Sequence, residues 1–392
     1  MHSLSDPVVK EKRIRQIERL LNTQPVDLDA LHTVSRLEGG FINNELRQRV
    51  WPKFLGVNRY MAGEFRTESG DRAITRKIRC DVERSFWNFS HCKDWDEAKL
   101  QEKRVLLTDL ITACLEHNPG LHYYQGFHDV ATVFIEVFED DADLCYLLIE
   151  AVSKYFMRDF MGADFHVVTD ALSLILQIVK KVDVKLFAFL SKSLTEPYFA
   201  VSWLITWFSH DLKDLNTVVR IYDALITSHP MFCLYMCTAL VLSCKDDIFA
   251  MDCEMSQIHN FLVNVCERKK VSFDKIIVKA DSLMSALPPS RLKVLGSKEL
   301  RELIARKKVA MFLKPPCITR YCDTDAFMLE QSKRKKDEAV AKRVSEMELA
   351  EYASAEDTAV GLGDTHALYW LSSALLGGIV NLVGAKKEDR PP

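Results

Sequence analysis

Through most of this chain apolar residues return at helical spacing, while the alternation expected of a half-buried strand is scarce. That pattern admits helix packed on helix and little else. Between residues 8 and 21, Val9, Ile14, Ile17, Leu20 and Leu21 form one stripe, which Pro25 stops soon after. Similar stripes recur over residues 100–117, 130–138, 144–156, 172–182, 201–212, 218–226 and 258–265, separated by short polar or Gly/Pro breaks. The expected fold class is therefore all-α: an N-terminal accessory helix within residues 1–34 and one multi-helix domain over 35–290. Pro288 and Pro289 close that domain, because proline lacks an amide hydrogen and drives its predecessor out of helical geometry. Residues 291–366 read as a polar, charged linker. The LysArgLysLys run at 333–336 is answered there by Asp337 and Glu338, as in a solvated helix.

With 48% apolar and 27% charged residues, and only 14 Gly and 12 Pro in 392, the chain can bury a large core and leaves little room for extensive disorder. A net charge of −3 supplies none of the basic excess that phosphate backbones demand, so no nucleic-acid partner is expected. The 11 cysteines are odd in number and form no CxxC pair, which speaks against a disulfide framework and a zinc site and for the reducing cytosol. Cys233 and Cys237, four apart, read as small buried hydrophobes. The charged N-terminus lacks the apolar run of a secretory signal.

Residues 367–385, ALYWLSSALLGGIVNLVGA, carry no charge and precede Lys386 and Lys387. As a helix they would cover ~28 Å, enough to cross a thin bilayer, and a transmembrane tail anchor is expected. Ser373, Gly377 and Asn381 would form a small, polar stripe suited to another membrane helix or to self-association. The competing reading is an amphipathic helix lying on the membrane or folded against the protein.

Two segments carry chemistry. In residues 74–89, ITRKIRCDVERSFWNF, the positions Ile74, Ile78 and Val82 share a helical face that can pack inward. Asp81 and Arg84, three apart, can then pair so that the carboxylate aims the guanidinium. In residues 117–130, HNPGLHYYQGFHDV, a Pro–Gly turn leads to Tyr124, Gln125 and Gly126 at a helix start. There an amide can orient a water, and a glycine leaves space for another backbone to approach. Taken singly, the first is an ordinary surface ion pair and the second a capping turn.

Together and in this order, IxxDxxR at Ile78–Asp81–Arg84 and YQGxxD from Tyr124 to Asp129 resemble the TBC domain of Rab GTPase-activating proteins. The likeness runs from about residue 39 to 290. It includes Arg47 and Trp51 in GFINNELRQRVWPKFLGV and the TWF at 206–208; Tyr222 and Ser228 depart from the Trp and Gly usual in the family's third motif. The resemblance implies a GTPase activator with no hydrolase activity of its own, which donates residues in trans to a GTP-bound Rab. Arg84 would stabilise charge on the phosphoryl oxygens and Gln125 would position the attacking water. Tyr124 would pack beside Gln125 against the GTPase, Asp81 would steer Arg84, and Asp129 would brace the Gln125 loop. Arg47 and Trp51 would be scaffold. GTP and magnesium would come with the Rab, leaving this chain without cofactor or metal.

LHYYQG at 121–126, RDFM at 158–161, SWLITWF at 202–208 and the apolar tail resemble an endoplasmic-reticulum-anchored branch of the family. That likeness implies the cytosolic face of that membrane and the Rab of endoplasmic-reticulum-to-Golgi traffic, the Rab-one type, hence control of vesicle transport. Two rivals stand beside it: a TBC fold acting only as a Rab-binding or membrane scaffold, and an unrelated hydrolase built on His122, His128 and Asp129.

Overall fold

In the computed structural model the polar residues that punctuate the apolar stretches become helix caps. Asp27 accepts from the Ala30 amide at 2.8 Å, Asn43 from Leu46 at 2.9 Å, Asp96 from Lys99 at 2.7 Å and Asp141 from Leu144 at 3.1 Å. Each satisfies a first-turn donor that has no partner within its own helix. The structure describes residues 6–58, 72–86, 89, 92, 94–139, 141–162, 166–193, 196–289 and 292. Their elements are helical and no strand occurs among the described residues.

In order the helices are α1 (Pro7–Leu21), α2 (Leu28–Arg36), α3 (Asn44–Leu55), α4 (Arg72–Val82), α5 (Glu97–Glu116), α6 (Phe127–Phe138), α7 (Ala142–Val152) and α8 (His166–Val182). Then come α9 (Val184–Ser193), α10 (Val201–Ile205), α11 (Leu215–Ile226), α12 (Phe232–Ser243), α13 (Lys245–Phe249), α14 (Met255–Val263), α15 (Val265–Arg268) and α16 (Phe273–Ala286). A π-helical turn, Ser153–Met157, extends α7, and a 3-10 turn, Tyr198–Ala200, leads into α10. All described residues belong to the unit Met1–Thr324.

Two helices form the centre. Every residue of α6 is buried, and so is α12 from Phe232 to Leu242. A helix apolar on all sides has no periodic stripe, which is why the spacing of apolar residues locates α12 poorly. Around them α3, α5, α7 and α11 pack on α6, while α8, α10 and α16 pack on α12. α1 buries Ile17 and Leu21 in the same core.

Several expectations need correction. The segment at 74–89 leaves the helix after Val82, and of its inward positions Ile78 and Val82 are buried while Ile74 is 39% exposed. The stretch 201–212 is helical only to Ile205. Beyond it the backbone turns, with Trp207 and Phe208 at φ 51° and 64°, and both aromatic rings are buried. The stretch 258–265 is broken at Asn264.

Arg47 and Trp51, expected as scaffold, meet on a residue the sequence did not single out. The fully buried Asp223 of α11 accepts from Arg47 Nε at 3.0 Å and Nη2 at 3.1 Å, from Trp51 Nε1 at 2.9 Å and from the Phe41 amide at 3.1 Å. Trp51 also stacks on Tyr222, with ring centroids 6.0 Å apart. Gly40, at φ +53°, admits this approach, since a Cβ there would lie 2.5 Å from Asp223 Oδ2. The network ties α3 to α11 and so holds the frame on which α6 rests.

Among the described residues no helix is long and apolar enough to cross a membrane. The expected linker from 291, apart from Leu292, and the expected membrane segment at 367–385 lie outside the described residues.

Candidate functional site

The two motifs, separate in sequence, converge on one carboxylate. Asp81, in the last turn of α4, is 11% exposed at its side chain and accepts from Arg84 Nη2 at 2.6 Å through Oδ1. Its other oxygen, Oδ2, accepts from the Tyr123 hydroxyl at 2.9 Å. Arg84 lies in the turn after α4, where its amide donates to the Asp81 carbonyl at 3.0 Å, and its side chain is 57% exposed. The guanidinium is thus held at one nitrogen, Nη2, while the side chain stays largely at the surface.

Tyr123 belongs to the loop that carries Gln125. His122 anchors that loop through its amide to the Met161 carbonyl at 2.7 Å, and Tyr124 anchors it through a hydroxyl that donates to the Ile205 carbonyl at 2.7 Å. The Tyr124 ring packs on Phe127, centroids 5.8 Å apart. Its hydroxyl is therefore engaged inside the domain, while the residue as a whole stays partly exposed. Gln125 follows in the turn, partly exposed. Gly126 caps α6 at φ +111°, a conformation that excludes L side chains, and a Cβ there would lie 2.9 Å from Thr206 Cγ2. The space expected to admit a partner's backbone is, in the Cβ direction, filled by this chain's own Thr206.

Behind the loop the network continues. His128 Nδ1 lies 3.2 Å from the Tyr123 hydroxyl. Because that hydroxyl gives its proton to Asp81, the imidazole nitrogen donates. His128 Nε2 is 3.5 Å from Asp129 Oδ1, and Asp129 Oδ2 accepts from His210 Nδ1 at 2.9 Å. The resemblance implied a bracing role for Asp129 without identifying its partner. His210 follows the TWF turn, where a lone polar ring after buried aromatics was the one available signal.

Electrostatics in the cluster follow from this geometry. Burial raises the Asp129 carboxyl, but His128, His210 and Arg84 outweigh it and hold the group below its ordinary range. The hydrogen bond to Asp129 opposes burial and lifts His210 to about 9, so the ring is an imidazolium at neutral pH. Burial and the Asp81 charge raise Tyr123 well above the usual phenol range, which keeps it a proton donor to Asp81.

Asp81, Arg84 and Asp129 thus join one stitched cluster through Tyr123 and His128, and the same loop carries Gln125; Ile78, on α4, is fully buried. Arg47 and Trp51 sit in the separate Asp223 network. His122 is exposed whereas His128 and Asp129 are buried. Among the described residues no group of His, Cys, Asp or Glu is arranged to hold a metal ion.

The Rab-GTPase-TBC domain model matches residues 44–249. TBC1 domain family member 20 of Homo sapiens is 33% identical over 289 residues, covering 72% of this chain and 69% of that protein. GTPase-activating protein gyp10 of Schizosaccharomyces pombe is 30% identical over 295 residues, covering 72% of this chain and 76% of that protein. Among solved structures, the Ypt/Rab-GAP domain of Gyp1p superposes with a TM-score of 0.56 at 17% identity, over 70% of this chain and 97% of that one.

Proposed function

The chain belongs to the Rab-GTPase-TBC family, and from that premise we propose that it accelerates GTP hydrolysis by a Rab through Arg84 and Gln125 supplied in trans. The observation that supports this reading is the shared carboxylate: Asp81 holds Arg84 with one oxygen and the Gln125 loop, through Tyr123, with the other. A Rab alone hydrolyses GTP slowly because charge building on the phosphoryl oxygens is incompletely neutralised and the attacking water is loosely held. The exposed guanidinium supplies the charge and the planar fork that matches phosphoryl oxygens. The carboxamide of Gln125 supplies a donor and an acceptor that orient the water. Because Arg84 and the loop that carries Gln125 are braced before the partner arrives, little reorganisation is left for the transition state, which is how preorganised donors accelerate reactions. GTP and magnesium belong to the Rab in this scheme, and the chain contributes no cofactor.

The proposed substrate is the Rab of endoplasmic-reticulum-to-Golgi traffic, the Rab-one type, on the strength of the likeness of residues 121–126, 158–161 and 202–208 to the endoplasmic-reticulum-anchored branch. The uncharged run 367–385 supports a tail anchor on the cytosolic face of that membrane, which would confine enzyme and Rab to one surface and raise their effective concentration. Solubility of the full chain in carbonate-washed membranes would count against the anchor. For the activity, the test is single-turnover phosphate release across a panel of GTP-loaded Rabs. Gln125→Ala is expected to slow the stimulated rate on the order of 10²–10³ while leaving Rab binding in place, the usual cost of losing one preorganised transition-state group. Wild-type rates from the alanine variant would assign the loop to binding alone.

A further inference from the structure

His210 has no role in the scheme above, yet it closes the network behind Gln125. Its Nδ1 donates to Asp129 at 2.9 Å while its side chain is 43% exposed. Asp129 sits in the first turn of α6, three residues after the glycine that caps that helix, and its amide donates to the Gly126 carbonyl at 3.1 Å. The carboxylate is 8% exposed, and Arg84 is close enough to lower its proton affinity. A buried carboxylate within electrostatic reach of an exposed guanidinium competes for it. Unless something else neutralises Asp129, Arg84 is drawn back toward the domain and away from a partner's phosphate.

We propose that His210 is a positioning residue for the activation reaction: its imidazolium neutralises Asp129, fixes the first turn under Gln125, and leaves Arg84 held by Asp81 alone and free to extend. This rests on the reading of Arg84 and Gln125 as the groups that act on the Rab. The groups facing His210 are Asp129 and, behind it, His128 from α6, Asp211 next in the chain with Glu267 of α15 beyond it, and Arg84 from the turn after α4. Burial lifts the Asp211 carboxyl to about 6, so it is ionised before His210 begins to lose its proton. The His210 proton leaves only near pH 9. As pH rises through that value the neutral ring can still donate from Nδ1 to Asp129, but the charge opposing the carboxylate is gone.

The experiment measures kcat and KM for Rab GTP hydrolysis with the full chain, from about pH 6 to 10, for wild type, His210→Asn, Asp129→Asn and the double variant, with Gln125→Ala as reference. Asn places an uncharged donor where Nδ1 stands, and His210→Gln repeats the measurement if the Asn variant does not fold. Expected at neutral pH is a fall in kcat of roughly ten- to a hundredfold for His210→Asn with KM nearly unchanged, the size of effect a small misplacement of reacting groups produces. The wild-type kcat falls as pH rises through about 9, and the variant lacks that fall. In the Asp129→Asn background His210→Asn costs much less, because the Asp129 charge that it neutralises is gone.

Wild-type kcat from His210→Asn, an equal loss in both backgrounds, or a change confined to KM overturns the assignment. If Gln125→Ala is inactive and His210→Asn is normal, this inference alone fails. If wild type accelerates no Rab, or Gln125→Ala is fully active, the reading of the site fails and this inference goes with it.

Discussion

Replacing Arg84 by alanine is expected to lower the stimulated rate of Rab GTP hydrolysis on the order of 10³–10⁵-fold, the range spanned by arginine fingers in general. The side chain is 57% exposed, and its 2.6 Å contact with Asp81 is an i,i+3 pair at a helix end. Such a pair contributes under about 1 kcal/mol to stability, so the melting temperature should scarcely move. Loss of rate without loss of fold is the combination that separates an activating group from a structural one. Lysine should not restore the rate, because an ammonium lacks the planar fork that spans two phosphoryl oxygens. Single-turnover phosphate release, with Rab binding measured alongside, checks each part. A scaffold that only holds a Rab would show the reverse: an unstimulated rate in wild type and no change on substitution.

The opposite combination is expected at Asp223. Its carboxylate is fully buried and meets Arg47, Trp51 and the Phe41 amide, so Asp223→Ala strands a guanidinium that is 5% exposed together with two further donors. Removing one partner of a buried ion pair costs about 3–5 kcal/mol, because the remaining charge can neither find water nor a substitute. For a domain of this size that corresponds to a fall in melting temperature of roughly 6–20 °C. Thermal unfolding of the variant checks it, and a shift below about 2 °C would show that the Arg47 side chain finds a partner elsewhere. In this variant activity at low temperature should survive better than stability, since no member of the network reaches Arg84 or Gln125.

What could be read from the sequence and what could not divide along sequence separation. The pairing of Asp81 with Arg84 is a local matter, three residues apart at the end of a helix whose buried face is marked by Ile78 and Val82. The turn that presents Gln125 announces itself through Pro119, Gly120 and Gly126. The partners of Asp129 and Arg47 do not, because His210 lies 81 positions away and Asp223 lies 176, and no periodicity reports which distant residues will meet. A charge within the apolar stretch of α11 was the visible sign of Asp223, but the same sign fits a surface position.

Local rules misled where tertiary packing took over. Trp207 and Phe208 look like the continuation of α10, yet they adopt left-handed backbone so that both rings enter the core. Gly126 reads as an opening toward a partner, yet its missing side chain accommodates Thr206. Tyr124 bonds through its hydroxyl to Ile205, 81 positions on, a partner no local rule reports. The two motifs were legible because each is local in sequence and together they resemble a family pattern, while the residues that hold them in place are supplied by the whole fold.

The central claim is that the chain brings its own water-orienting amide to the GTPase. It is tested most directly on a Rab whose switch glutamine has been replaced by leucine, loaded with GTP and mixed with the wild-type chain under single-turnover conditions. If Gln125 orients the water in trans, the crippled Rab is still driven to hydrolyse GTP, and Gln125→Ala abolishes that rescue. A mutant Rab that stays locked in GTP with the wild-type chain, while the normal Rab is stimulated, would show that the water is oriented by the GTPase and that Gln125 does something else.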